Sequence, residues 1–217
     1  MGIYVVSTGF APATREKCIL SVRSQVRVDV KHIVIDAAEQ HPRKGAMENL
    51  VDAVKDLPDD AIVAHLDLDD WLARQDALLI VERMHAVGAW NTYGSLRFSD
   101  GRTAPWFRAY ERNENVRTAP WMATHLRTWK AGLFKRIKPE HLKMNGAWLE
   151  HARDLAEALP ILELSGFDRS AYCPETLVIY NYGSSTEHSA DLETLALEKK
   201  CVAYIRALPP YERLEKL

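Results

Sequence analysis

The chain opens on an apolar, β-branched run from Ile3 to Ser7, which the pattern predicts as a buried strand. Gly9, Pro12 and Thr14 punctuate a loop, and Thr14 stands as the cap of a helix from Arg15 to about Val26. Its apolar positions Cys18, Ile19, Val22 and Val26 recur at helical spacing. His32 to Asp36 reads as a second buried strand that ends on a carboxylate. A helix follows from about Ala46 to Leu57, stopped by Pro58-Asp59-Asp60. Ala61 to Leu66 is a third strand that also runs into acid, Asp67-Leu68-Asp69-Asp70, before a helix from about Gln75 to Val87. Three strand–helix alternations in ninety residues predict a parallel α/β sheet. The carboxyl ends of such strands are where ligands bind, and both acidic sites fall there.

The second half is less regular. Trp90 to Phe98 reads as a strand, and Gly101 to Pro120 as a loop or hairpin rich in arginine and aromatics. Helices are expected from about Thr124 to Phe134 and from about Trp148 to Leu159. A last strand spans Leu177 to Tyr182, a polar loop Gly183 to Ser189, and a final helix about Leu192 to Leu208. No repeat or low-complexity linker separates the halves, so residues 1–217 read as one domain, with 1–98 and 99–217 as two halves sharing a core.

Composition narrows the class. At 217 residues with 47% hydrophobic and 27% charged positions, the chain is long enough for a sizeable core. A formal net charge of −2 gives no support for a dedicated nucleic-acid binder, although a local basic patch could still serve a nucleic-acid acceptor. No apolar run is long enough to span a bilayer, and the amino terminus lacks a basic leader, so no membrane insertion and a cytoplasmic location are expected. The three cysteines, Cys18, Cys173 and Cys201, show no metal or disulfide spacing.

Three carboxylates in four positions at a strand end repel one another unless a cation lies among them. A hard divalent ion, Mg²⁺ or Mn²⁺, suits such a set together with substrate phosphate oxygens. The plainer alternative is a solvated acidic turn with Asp70 capping a helix. Arg97, Arg108 and Arg127 are candidates to neutralise a diphosphate, or else surface ion-pair partners. Trp106, Phe107, Trp121 and Trp148 read mostly as core, and Asn49 as a helix-surface residue.

The ordered series Asp36, Asn49 and Ile62 to Leu72 with its DxDD resembles the nucleotide-binding half of the family-two glycosyltransferases of GT-A fold. The likeness extends through Tyr93-Gly94-Ser95, His125-Leu126-Arg127-Thr128-Trp129, the segment Trp148 to Glu163 and the stretch Tyr180 to His188, which is similar to a small HLRT-containing subgroup. The resemblance implies a mixed, mostly parallel central sheet with flanking helices, the first half holding donor and metal, the second half acceptor and base. It implies an inverting transfer from a nucleotide sugar of the UDP or GDP class to an acceptor hydroxyl on a glycan, protein, lipid-linked sugar or modified DNA base. By position, Asp36, Ser7, Thr8 and Asp67 touch the donor, with His125 and Arg127 beside its phosphates. Asp67, Asp69, Asp70 and His188 would hold Mn²⁺ or Mg²⁺, and Asp154 would be the catalytic base, with Glu150 and Glu163 as competitors. Arg153 stands where the family usually carries a second acid. Two alternatives remain on sequence grounds: a haloacid-dehalogenase-like phosphohydrolase, and a non-catalytic nucleotide-sugar-binding module.

Overall fold

A computed structural model describes residues 2–182 and 191–217. Its centre is a seven-stranded sheet in the order β2-β1-β3-β6-β5-β9-β4. The strands are β1 (Ile3–Gly9), β2 (Val30–Asp36), β3 (Ile62–His65), β4 (Trp71–Leu72), β5 (Asn91–Phe98), β6 (Thr124–Lys130) and β9 (Ser170–Tyr180). Two short strands, β7 (Lys143–Met144) and β8 (Ala147–Trp148), pair separately. β1 runs parallel to β2 and β3, and β5 parallel to β9; β6 is antiparallel to β3 and β5, and β4 to β9. Five of the seven strands therefore point the same way, as expected for a mixed, mostly parallel sheet.

Period-two alternation sends successive side chains to opposite faces. On one face Ile3, Val5, Ile62, Ala64 and Leu66 pack against α1 (Arg15–Arg23) through Cys18 and Val22, and against α3 (Ala77–Ala86) through Leu78 and Val81. On the other face Val6, Val63 and Trp129 meet α2 (Ala46–Val54), α4 (Ala131–Phe134), α5 (Arg153–Ser165) and the closing helix Leu192–Ala207. Every residue of α5 from Leu155 to Leu162 is buried, as a helix lying between a sheet and a further layer must be. The closing helix starts at Asp191, whose side chain accepts from the Thr194 amide at 2.8 Å.

Three predicted elements are corrected. Thr124 to Lys130 is not the start of a helix; it is strand β6, inserted antiparallel between β3 and β5, and only Ala131–Phe134 is helical. The helix expected from Trp148 begins instead at Arg153, after Ala152 in a left-handed conformation (φ 51°). Glu150 thus lies outside α5 and is exposed. The helix expected to reach Val26 ends at Arg23, and Thr14 precedes it without a side-chain capping bond. Asn49 is buried and not on the surface, its amide paired in both directions with that of Gln40 at 2.8 and 3.0 Å. Trp106 is exposed, not core. The three cysteines are free and buried.

Burial gives the fold a built-in acid sensitivity. His85, on α3, is 3% exposed and its Nε2 meets the Thr128 hydroxyl at 2.8 Å. Burial is the main cause that lowers its pKa from 6.5 to about 4. The unfolded chain then binds a proton below pH 6.5 that the native state refuses. The stability tied to neutral His85 is intact above pH 6.5 and lost as pH falls toward 4, a loss on the order of 3 kcal/mol at 1.36 kcal/mol per unit. Urea titrations at pH 7 and pH 4.5 should show a steep loss for the wild-type chain and a loss smaller by roughly that amount for His85→Gln.

Candidate active site

The acidic residues converge on the carboxyl edge of the sheet. Asp36, the last residue of β2, pairs in register with Gly9, the last of β1. On the other side of β1, Leu68 donates its amide to the Thr8 carbonyl at 3.2 Å, so Asp67 leaves β3 at the same edge. A tight turn follows, closed by the Asp70 amide donating to the Asp67 carbonyl at 3.0 Å. β6 brings the third group. Its register pairs His65 with Arg127, and continuing that antiparallel count by two residues sets His125 across from Asp67.

The result is a set of ligand-type atoms from Asp67, Asp70 and His125, all within 4.8 Å of one another. Asp70 is 1% exposed; its Oδ1 accepts from the Asn181 amide at 2.8 Å, while its Oδ2 is buried without a hydrogen-bond partner. Nδ1 of His125 is likewise buried and unpartnered, and its ring stacks on Tyr180 at 5.6 Å. Such orphaned polar atoms are costly in a protein interior unless something pairs with them. Burial, followed by the charges of Asp69 and Asp67, raises the Asp70 carboxyl well above the usual range. Burial also pushes Asp67 upward, but His65, Arg153, His125 and Arg127 outweigh it and hold Asp67 at about 2. Burial and the neighbouring Arg127 lower His125 to about 3. Asp67 is therefore ionised and His125 neutral through the neutral range, the forms in which each can ligate a cation. Two carboxylates with one imidazole and an orphaned oxygen fit a divalent metal.

Behind this set lies a buried ionic cluster. Glu157 is fully buried and accepts from Arg127 Nε at 3.0 Å and from His65 Nδ1 at 2.7 Å. His65 Nε2 is 3.8 Å from Asp67 Oδ1. Asp154 sits in the first turn of α5, and burial raises its carboxyl; Arg127 opposes the rise, and Glu157 and Asp67 add to it.

The remaining expected residues divide. Arg127 joins the cluster, 4% exposed. Asp36 is engaged by Arg15, at 3.1 Å, and accepts from the Ala38 amide at 2.9 Å. Ser7 faces the α1 side, fully buried between His32 (3.0 Å) and Cys18 (3.5 Å). Thr8 points to the opposite face with its hydroxyl buried and unpartnered. Asp69 is half-buried beside the set, and His188 lies outside the described residues. Arg108 is held by Glu114 in a two-pronged ion pair, and Arg97 is exposed. Glu163 is bound by Arg117, with Nη2 to Oε2 at 2.8 Å. His65 and Glu157 were not among the expected residues, and His125 sits in the cation-type cluster where a donor contact was expected. The one sequence signal for Glu157 is an acid inside the otherwise apolar run Leu155 to Leu162.

No protein-family model matches the sequence, and no curated protein does. Solved structures do match. S. aureus TarS (residues 1–349) in complex with UDP-GlcNAc superposes with a TM-score of 0.63 at 12% identity, over 98% of this chain and 68% of that one. A further structure of the same fragment gives 0.58 at 12% identity, over 83% and 60%, and its UDP complex 0.55 at 13%, over 91% and 64%. The fold is GT-A. The present chain spans only about 60 to 68% of these TarS fragments. In a GT-A sheet the edge bearing Asp36, Asp67 and Asp70 is the carboxyl edge of the parallel strands, the general place for a ligand.

The position of Glu163 yields a prediction. Both members of the Arg117–Glu163 pair are under a tenth exposed, and Glu163 also accepts from the Tyr211 amide at 3.0 Å. Removing one charge from a buried pair leaves the other uncompensated. Glu163→Gln should therefore cost roughly 3–5 kcal/mol in urea unfolding, while calorimetric affinity for a divalent cation stays unchanged, since the Glu163 carboxylate is taken up by Arg117 and the Tyr211 amide.

Proposed function

We propose that the chain is a metal-dependent, inverting glycosyltransferase of the family-two type, moving a sugar from a nucleoside diphosphate to an acceptor hydroxyl. The observation that carries the reading is the gathering of Asp67, Asp70 and His125 within 4.8 Å at the carboxyl edge of a GT-A sheet, with Asp154 close enough to share their field. Resemblance to TarS structures that hold UDP-GlcNAc and UDP supports a nucleotide-sugar donor of the UDP class. The GT-A sheet also favours transfer over the phosphohydrolase alternative, whose acidic motif follows a first strand and not a third.

Asp67, Asp70 and His125 would hold Mn²⁺ or Mg²⁺, with Asp69 and His188 as further candidates. A bound divalent ion supplies charge neutralisation for the leaving diphosphate. The chain's own residues do the rest. Thr8 and Asp36, at the ends of β1 and β2, flank the nucleoside side of the edge, with Ser7 supporting β1 from beneath. Arg127 provides fixed positive charge behind Asp67 and Asp154. Asp154 takes the acceptor proton as the hydroxyl attacks the anomeric carbon from the face opposite the diphosphate. Burial lifts its carboxyl toward neutrality, which improves it as a base relative to a solvated aspartate. The acceptor is a glycan or another hydroxyl compound.

A panel of UDP- and GDP-sugars, read by thermal protection with and without Mn²⁺, should single out one donor that stabilises the protein only with metal. With that donor, Asp154→Asn should retain donor and metal affinity and lose single-turnover transfer by about 10²- to 10⁴-fold. The amide variant of Glu150, which is exposed and outside α5, should transfer normally. Near-normal transfer by Asp154→Asn would remove it from the mechanism.

A further inference from the structure

Glu157 is the least exposed acid in the described chain, at 0%, and it holds two basic side chains at once. The arrangement follows from the sheet. His65 and Arg127 are direct cross-strand partners on β3 and β6, so both project to the same face. α5 covers that face, and Glu157 descends from it between them, three residues after Asp154 and on nearly the same side of the helix. Arg127 and Glu157 also border a cavity of only about 10 Å³, too small for bulk water to screen the pair.

As a source of stability the cluster is a poor choice, because a buried ion pair returns little beyond what well-packed apolar residues would give. Its geometry has a direction instead. With Nδ1 bonded to Glu157, the imidazole of His65 turns Nε2 toward Asp67, 3.8 Å from its Oδ1, and Nε2 is buried with no hydrogen-bond partner. With Nε bonded to Glu157, the guanidinium of Arg127 is pinned where its charge acts on both Asp67 and Asp154.

We propose that Glu157 is a positioning residue which, through His65, sets the orientation of Asp67 for cation binding and, through Arg127, ties that end of the site to Asp154. The inference rests on the glycosyltransferase reading only for the identity of the cation's partner; its core is a carboxylate–histidine–carboxylate chain running from α5 to the loop after β3. Groups that orient ligands from behind typically change metal affinity by about 10- to 100-fold when removed.

Isothermal titration of Mn²⁺ alone into the full chain tests it, alongside unfolding curves. Glu157→Gln should weaken Mn²⁺ binding by about 10- to 100-fold, and His65→Phe, which leaves Glu157 and Arg127 paired, should weaken it to a similar degree. In the metal-free wild-type protein, long-range ¹H–¹⁵N correlation should find a proton on Nδ1 of His65. A folded Glu157→Gln protein that binds Mn²⁺ within twofold of wild type would overturn the proposal. Should that variant not fold, unchanged affinity in His65→Phe overturns it equally, as does an unprotonated Nδ1. Failure of the wild-type chain itself to bind Mn²⁺ would overturn the metal site along with this inference, whereas intact wild-type binding with unaffected variants would overturn this inference alone.

Discussion

Negative charge gathered in a place with little water is the constraint around which the site edge of the molecule is organised. Asp67, Asp70, Asp154 and Glu157 all sit at or beneath one edge of the sheet, and each interior carboxylate must find a cation or a set of donors. Arg127 and His65 answer Glu157, and Arg153 with Arg127 and His65 answer Asp67. Asp70 receives one backbone amide and two neighbouring negative charges, and keeps one oxygen buried and unpartnered. Glu157 and Asp67 thus have basic partners, whereas Asp70, in the metal-type cluster, keeps its negative neighbours and an orphaned oxygen. That imbalance is what a bound cation would relieve.

The topology delivers these groups with few elements. β1 and β3 provide the parallel scaffold, and the turn after β3 presents Asp67 and Asp70. β6, running the opposite way, enters the sheet from the same edge and so carries His125 at its second position, beside Asp67. α5 completes the group from one face, carrying Asp154 in its first turn and Glu157 in the next, while its remaining length fills the core with Leu159, Ile161 and Leu162. A single helix therefore couples packing to the placement of charge.

Much of this arrangement was legible in the residues. The first three strands are β-branched runs bounded by turn residues, and their period and length speak for themselves. The acidic ends of β2 and β3 could be read from position. β6 could not. Thr124, His125, Arg127 and Thr128 are polar yet buried, so neither face of the strand shows an apolar stripe, and the pairing with β3 and β5 that decides its form is entirely long-range. The same fact hid His125 from the metal-type cluster, since its approach to Asp67 depends on strand register. Asn49 and Glu157 were obscured for a related reason. Each is a polar residue turned inward, satisfied by a partner distant in sequence or across a loop, and helical periodicity carries no trace of that partner. Beginning α5 at Trp148 also placed Glu150 on the helix, where Ala152 in its left-handed conformation in fact breaks the chain direction.

The central claim is that Asp67, Asp70 and His125 form one cation site at the carboxyl edge of the sheet. Anomalous diffraction from crystals grown with Mn²⁺, collected at the manganese edge, tests it directly. The account predicts a single strong peak within bonding distance of a carboxylate oxygen of Asp67 or Asp70 and of the His125 imidazole. A peak elsewhere, or none at concentrations that saturate binding in solution, would contradict it.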